Sequence, residues 1–377
     1  MQIETEILVI GGGLAGLTAA LHLQKNGFQV TLIEKKSYPH HKVCGEYVSN
    51  EVLPYLAWLG ISFESLQPTS IHNLQVTSVT GKCINAKLPL GGFGLSRYAM
   101  DHFLYQTLLK RGGSVLADTV TRVSYQESHF AVETNQGKHI TAKQVLGAFG
   151  KRSSLDKTLN RDFIQNKSPY MAVKAHYEGT FPSDLVALHN FNGGYCGVSK
   201  VEEDKLNICY LASYQTCKRY KNIGDYQEEV MYQNRQLRNI LKASILLFDA
   251  PLTISQICFD EKEPVFEHII MIGDSAALIH PLCGNGMAMA MHGAKIAAEL
   301  TTAFLQDKMI SRACFEKVYT QQWTKLFHGR LLAGKMLSAV FNNTTTQRLA
   351  IAALTKMPAL LSGTIRMTHG KPISIAN

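Results

Sequence analysis

Residues 7–34 read ILVIGGGLAGLTAALHLQKNGFQVTLIE. The first four form a continuous apolar run, the pattern of a strand buried on both faces. They lead into GGGLAG, in which Gly11, Gly13 and Gly16 satisfy G-x-G-x-x-G. A helical segment of small residues follows, and FQVTLIE supplies a second strand that ends at Glu34. Each position has a physical task. Gly11 permits the tight turn, Gly13 lets bare backbone approach a pyrophosphate, and Gly16 lets helix and strand pack closely. Leu14 and Ala15 open the helix, whose N-terminal N–H groups face the phosphates. Glu34, followed by Lys35, accepts hydrogen bonds from an adenosine ribose, and its charge disfavours a 2′-phosphate. The unit predicts a Rossmann-type α/β dinucleotide-binding domain but does not separate NAD from FAD.

Residues 267–299, EHIIMIGDSAALIHPLCGNGMAMAMHGAKIAAE, make that choice. Ile269 to Ile272 is a buried-strand candidate ending in Gly273-Asp274, after which come Pro281 and a turn of Gly284, Asn285 and Gly286. Met287 then opens a helix through Glu299. An aspartate at the end of a buried strand can hold ribityl hydroxyls, and a helix N-terminus beyond it can stabilise negative charge on a reduced flavin ring. FAD is the cofactor these residues predict.

Three further segments carry a resemblance: LSRYAMDHFLYQTLLKRGG (95–113), PHHKVCGEYVS (39–49) and GGYCGVSKVEEDKLNICYLA (193–212). With the two motifs above, they resemble the group A flavoprotein fold of p-hydroxybenzoate hydroxylase, and within it the geranylgeranyl reductase-like branch, over roughly residues 5–300. The resemblance implies that Arg97 reaches the FAD pyrophosphate and that Asp101 starts its helix. It also implies that Lys42, Cys44 and Gly45 are the K-x-C-G of the branch, whose Cys-Gly lies beside the isoalloxazine, with Lys42 among the cofactor-binding residues. Cys44 and His280, the latter just before Pro281, are the candidate catalytic residues. Departures accompany it. Phe149 stands where the family's D-G segment has aspartate, and Ala277 where aromatic hydroxylases have histidine. The strand pair has Gly197 and Val198-Ser199 where the branch has Trp and Phe-Pro.

The expected architecture is a discontinuous FAD-binding domain (1–68, 94–165 and 257–300), an inserted antiparallel-sheet substrate domain (69–93 and 166–256), and a helical, basic C-terminal region (301–377). Period-two runs such as YMAVKAHYEGTF, VALHNF and LNICYLA mark the sheet. A helical stretch, 226–242, follows it, and the C-terminal region looks helical, interrupted at Pro358 and Gly363. Gly91, Gly92 and Gly94 follow no strand, so there is no second dinucleotide motif, and NAD(P)H would dock transiently as reductant.

Composition narrows the remaining classes. The 377 residues are 46% hydrophobic and 18% charged, as in a globular protein with a large core. Eight cysteines are scattered without CxxC or metal-ligand spacing, which reads as reduced thiols in a cytoplasmic protein. The N-terminus has no export signal and no apolar run long enough to span a membrane. Of the net charge of +9, residues 301–377 carry +8, from ten Lys or Arg against Asp307 and Glu316. That region suits a membrane surface or an acidic partner, or is a solvated helical face. No nucleic-acid partner is expected, and the chain reads as a monomer or homodimer.

Three reactions fit a flavin beside a covered pocket. One is hydroxylation by reduced flavin and oxygen of a hydrophobic phenolic, polyketide or lipid-like precursor in secondary metabolism, which the eroded strand motif favours. The second, implied by K-x-C-G, is reduction of an isoprenoid carbon–carbon double bond. Halogenation ranks last, since the halogenases' W-x-W-x-I-P segment is absent and only Trp58 and Trp323 exist. A flavin-binding scaffold or electron carrier is the non-enzymatic reading, although it has no need of a covered pocket.

Overall fold

The computed structural model describes residues 2–375 except 167, 343–345, 347–349, 351–352 and 354–357. Gln2–Ile10 forms the centre of the first sheet, between Val30–Glu34 and His139–Gly147, with parallel pairing on both sides. Ser114–Ala117 and Ile269–Met271 extend the parallel order outward. Ile7, Leu8 and Val9 have no exposed surface, so this central strand is covered on both faces, as a parallel sheet requires. The helices Leu14–Lys25 and Gly286–Leu305 pack on each other across this core.

The second sheet has nine strands. The alternating runs become Thr69–Thr77, Cys83–Gly94, Tyr170–Glu178, Leu185–Phe191, Gly194–Lys200 and Leu206–Ser213. One junction corrects the antiparallel expectation: Leu185–Phe191 runs parallel to Thr69–Thr77. Tyr47–Ser49, directly after the Cys44-Gly45 pair, joins the far edge through Cys83–Gly94. The loop bearing Cys44 and Gly45 is therefore anchored in this second sheet.

Three other expectations change. Gly91, Gly92 and Gly94 belong to the strand Cys83–Gly94, and a Cβ on Gly94 would lie 1.9 Å from the Lys200 carbonyl oxygen, so they serve sheet packing. The stretch 226–242 is two helices, Ile223–Glu229 and Arg235–Lys242. Between them the buried Asn234 caps the second helix and donates to Thr77 Oγ1, Ser78 O and Asn190 O. A continuous helix would leave those buried strand groups unsatisfied. Gly363 lies inside the helix Pro358–Thr368 and does not interrupt it, while the expected break at Pro358 turns on residues 354–357, which lie outside the described ones. Before it runs the long helix Arg312–Asn342. Among the described residues, no helix is long and apolar enough to cross a membrane.

Candidate functional site

The parallel strands all end at one cavity of about 1300 Å³, where ligands bind in open α/β sheets. Ile10, Glu34, Ala148 and Gly273 mark those ends and line it. At the first turn Gly11 has φ +105°, and a Cβ there would lie 2.3 Å from the Ala148 carbonyl oxygen. A Cβ on Gly16 would meet the Gly11 oxygen at 1.9 Å, so helix and turn touch through bare backbone. Gly13 instead faces open space: its Cβ would stand 3.6 Å from Arg97 Nη2 and 3.8 Å from Lys42 Nζ.

Those two cations are held by one buried carboxylate. Asp101 accepts from Arg97 Nε and Nη2 at 2.7 and 2.8 Å and pairs with Lys42 at 2.9 Å. Burial would push the Asp101 pKa up, but the charges of Arg97 and Lys42 prevail and hold it below the usual carboxylate range. Asp101 does not start the helix. Ser96 caps Arg97–Lys110, its Oγ accepting from Ala99 N, and Asp101 sits one turn inside, opposite Arg97. Glu34 accepts from Gly12 N and Lys36 N at 2.8 and 3.0 Å, and Lys35 lines the cavity beside it.

At the other end, Cys44 and Gly45 meet Asp274 and the turn Pro281 to Met287 around the cavity. Cys44 Sγ donates to Met287 Sδ at 3.2 Å, and the Cys44 carbonyl accepts from Asn207 Nδ2 at 3.3 Å. Burial raises the thiol's pKa, so it keeps its proton at neutral pH. Apart from its chain neighbours, no described residue has an atom within 4 Å of where a Gly45 Cβ would be, and that backbone lines the cavity. Gly273 and Gly284 turn the chain at φ +59° and +61°. Asn285 lines the cavity, with its amide fixed from behind: Nδ2 donates to Glu51 at 3.2 Å and Oδ1 accepts from Arg330 at 3.0 Å.

A protein-family model described as an FAD binding domain matches residues 4–308. The chain belongs to the FAD-binding-domain family. It is 26% identical over 335 residues to a digeranylgeranylglycerophospholipid reductase of Methanosarcina acetivorans, covering 84% of this chain and 80% of that one. Among solved structures, the flavin-dependent brominase Bmp2 superposes with TM-score 0.79 at 16% identity, covering 97% of this chain and 93% of that one. PqsL of Pseudomonas aeruginosa, "a probable FAD-dependent monooxygenase", gives 0.74 at 14%, covering 91% and 98%. The fold is that of the p-hydroxybenzoate hydroxylase-like flavoproteins, and the protein is an FAD-dependent oxidoreductase.

The residues present fit FAD. Glycine backbone and the helix start at Leu14 lie opposite Arg97 and Lys42, the donor set a pyrophosphate needs. Both Glu34 and Gly45 line the same cavity, where Glu34 would meet the ribose and Gly45 the ring.

His280 is placed differently from Cys44. It is buried, packs 4.8 Å from the Phe259 ring, accepts from Leu282 N at 3.4 Å, and is not among the cavity-lining residues. Burial lowers its pKa to about 4, so the ring is neutral. His41 is half-buried against Tyr98, with ring centres 4.6 Å apart. Its pKa falls to about 4 through burial and the nearby Lys174.

Sequence reasoning missed Glu46. It is buried, at φ +55°, and accepts from Arg97 N at 2.8 Å, Lys174 Nζ at 3.1 Å and His176 Nε2 at 2.6 Å. The period-two strand YMAVKAHYE offered a signal, since Lys174 and His176 share one face of an otherwise apolar segment.

Proposed function

We propose that the protein is an FAD-dependent monooxygenase that hydroxylates a neutral, lipophilic, electron-rich substrate, with NAD(P)H as a transiently bound reductant. The observation that carries this reading is the segregation of charge in the cavity. Every Asp, Glu, Lys and Arg on its wall lies at 34–46, 97, 118, 151–152 or 274, the cofactor half. The other half is mostly apolar, with Leu74, Val76, Leu188, Leu211 and Ile254 from the sheet and Ile365 from the C-terminal helix, and the polar side chains among them, such as Tyr195, Tyr210, Thr253 and Thr368, carry no formal charge. No Lys or Arg on that part of the wall would pair with a carboxylate or phosphate, so a charged substrate would exchange its hydration for hydrogen bonds to neutral groups alone.

Bound FAD supplies the electrons and the reactivity toward oxygen. The chain's own groups shape and dry the site. The apolar wall excludes water, and the C-terminal helix closes over it through Ile365 and Thr368. Cys209 and Cys283 stay protonated, burial pushing each pKa up to about 12, so neither adds a charge beside the substrate.

A second reading, reduction of an isoprenoid double bond, is favoured by Cys44. Its Sγ holds a proton at neutral pH next to the open Gly45 backbone, where a new C–H bond would need one. Aerobic and anaerobic turnover with NADPH and NADH over a panel of lipophilic phenols and polyprenyl lipids separates the two. A product gaining one oxygen, with oxygen consumed, supports hydroxylation. A product gaining two hydrogens without oxygen uptake overturns it in favour of reduction.

A further inference from the structure

The cavity's apolar half opens beside two C-terminal helices whose outer faces are also apolar. On Arg312–Asn342, Leu332 and Met336 are one turn apart and 50% and 64% exposed, while Leu337 and Val340 of the same helix line the cavity. On Pro358–Thr368, Met367 lines the cavity and is still 59% exposed. The two helices meet at one buried carboxylate. Glu51 accepts from Arg330 Nη1 at 3.1 Å and from Gly370 N at 2.5 Å, placing Leu332 and Met367 each within a turn of that junction. Exposed Leu and Met side chains therefore sit on the two helices that wall the cavity, Met367 at the wall itself and Leu332 and Met336 on the helix that carries Leu337 and Val340.

The charge lies on the same region. Residues 301–377 carry +8 of the net +9, which leaves +1 for the first 300, and no acid follows Glu316. Lys325, Lys335, Arg366 and Lys371 are exposed there, of which Lys335 pairs with the exposed Glu261 at 2.8 Å. Cations around protruding apolar side chains match a bilayer with anionic headgroups, where each basic group gains from the surface potential and each apolar group from the acyl boundary. An acidic protein would satisfy the cations but not the apolar rim.

We propose that this C-terminal face docks peripherally on an anionic phospholipid bilayer and takes the lipophilic substrate from it. The proposal rests on the reading of the substrate as a neutral lipophile. The test is co-sedimentation of the full-length flavoprotein with vesicles of phosphatidylcholine alone or mixed with phosphatidylglycerol. Partitioning is expected to be at least about 10-fold stronger on the anionic vesicles and to weaken with added salt. Leu332→Asp with Met336→Asp, and separately Arg366→Glu with Lys371→Glu, should each abolish that preference while flavin absorbance is unchanged. Equal partitioning on both vesicles, or none, overturns the proposal. So does binding that neither double variant alters, or retention only on an immobilised acidic protein. Because the readout is binding, its failure leaves the substrate reading standing, whereas a polar substrate turned over by a vesicle-bound protein refutes that reading alone.

Discussion

Glu46 Oε2 and His176 Nε2 lie 2.6 Å apart and tie the loop bearing Cys44 and Gly45 to the sheet that covers it. Lys174 reaches the other oxygen at 3.1 Å, and both Lys174 and Glu46 are fully buried. Burial by itself would raise the Glu46 pKa, but the His176 hydrogen bond and the Lys174 charge outweigh it and hold it below the ordinary 4.5. The left-handed backbone, φ +55°, is a conformation a non-glycine residue keeps only where its surroundings enforce it.

Replacing Glu46 with Ala should therefore cost about 3–5 kcal/mol, because it leaves the Lys174 ammonium buried without a partner. Denaturant unfolding of the FAD-bound protein measures this. Since the carboxyl's pKa is depressed on folding, its contribution is present above pH 4.5 and lost as pH falls below that value. Glu46→Gln should flatten this acid limb. A variant as stable as the parent, with an unchanged acid limb, would show that the cluster holds nothing together.

Arg97 and Lys42 face Gly13 from across the cofactor groove, and Asp101 holds both. Two charge-assisted phosphate contacts are each worth about 1.5–3 kcal/mol. Arg97→Gln should then weaken FAD binding by roughly 10- to 100-fold, measured by flavin fluorescence on titrating the apoprotein. Asp101→Asn should weaken it less, since it disorders the cations without removing them. Unchanged affinity in Arg97→Gln would place the pyrophosphate elsewhere.

The dinucleotide unit was legible because its chemistry is local: glycines, a helix start and a terminal acid within 7–34 fix one geometry. The sheet strands were legible through period-two patterning, but the parallel junction of Leu185–Phe191 with Thr69–Thr77 was not, since pairing partners leave no local trace. Glu46 escaped for the same reason. Its partners Arg97, Lys174 and His176 come from distant segments, and a charged residue after Cys-Gly reads as solvent-facing until tertiary structure buries it. His280 misled in the opposite way: proximity to the flavin turn in sequence placed it near the ring, whereas packing against Phe259 turns it out of the cavity wall.

Several histidines are buried neutral, which sets an acid limit on stability. Burial lowers the pKa to about 3 for His22 and about 4 for His189, His280 and His292, from 6.5. Unfolding lets each take up a proton below pH 6.5, so the stability they represent is complete above 6.5 and declines as pH falls toward 4. Each fully contributing ring adds about 1.4 kcal/mol per pH unit in that window. Melting temperature measured from pH 7 to 4 should drop steeply, and less steeply in His280→Phe. The same variant should keep the shape of the pH–turnover profile above pH 5. A lost limb near neutrality would instead make His280 an acid or base.

Cys44 tests whether the K-x-C-G pair acts through its sulfur or through its glycine. The thiol is half-buried, contacts Met287 Sδ at 3.2 Å, and has its pKa raised by burial, the opposite of an activated nucleophile. Among the described residues no second cysteine bonds it, and its hydrogen-bond partners are Met287 and the Glu46 N–H. Cys44→Ala should bind FAD normally and lose no more than about 3-fold in turnover of a hydroxylated substrate, because the side chain supplies wall and not chemistry. Iodoacetamide at pH 7.5 should label it slowly compared with the exposed Cys83. Gly45→Ala should be the damaging change: it fills backbone space that is open to the cavity, so flavin affinity should fall while the apoprotein stays folded. If Cys44→Ala abolishes turnover with FAD still bound, while Gly45→Ala is tolerated, the sulfur is the reacting partner and the double-bond reduction reading takes precedence.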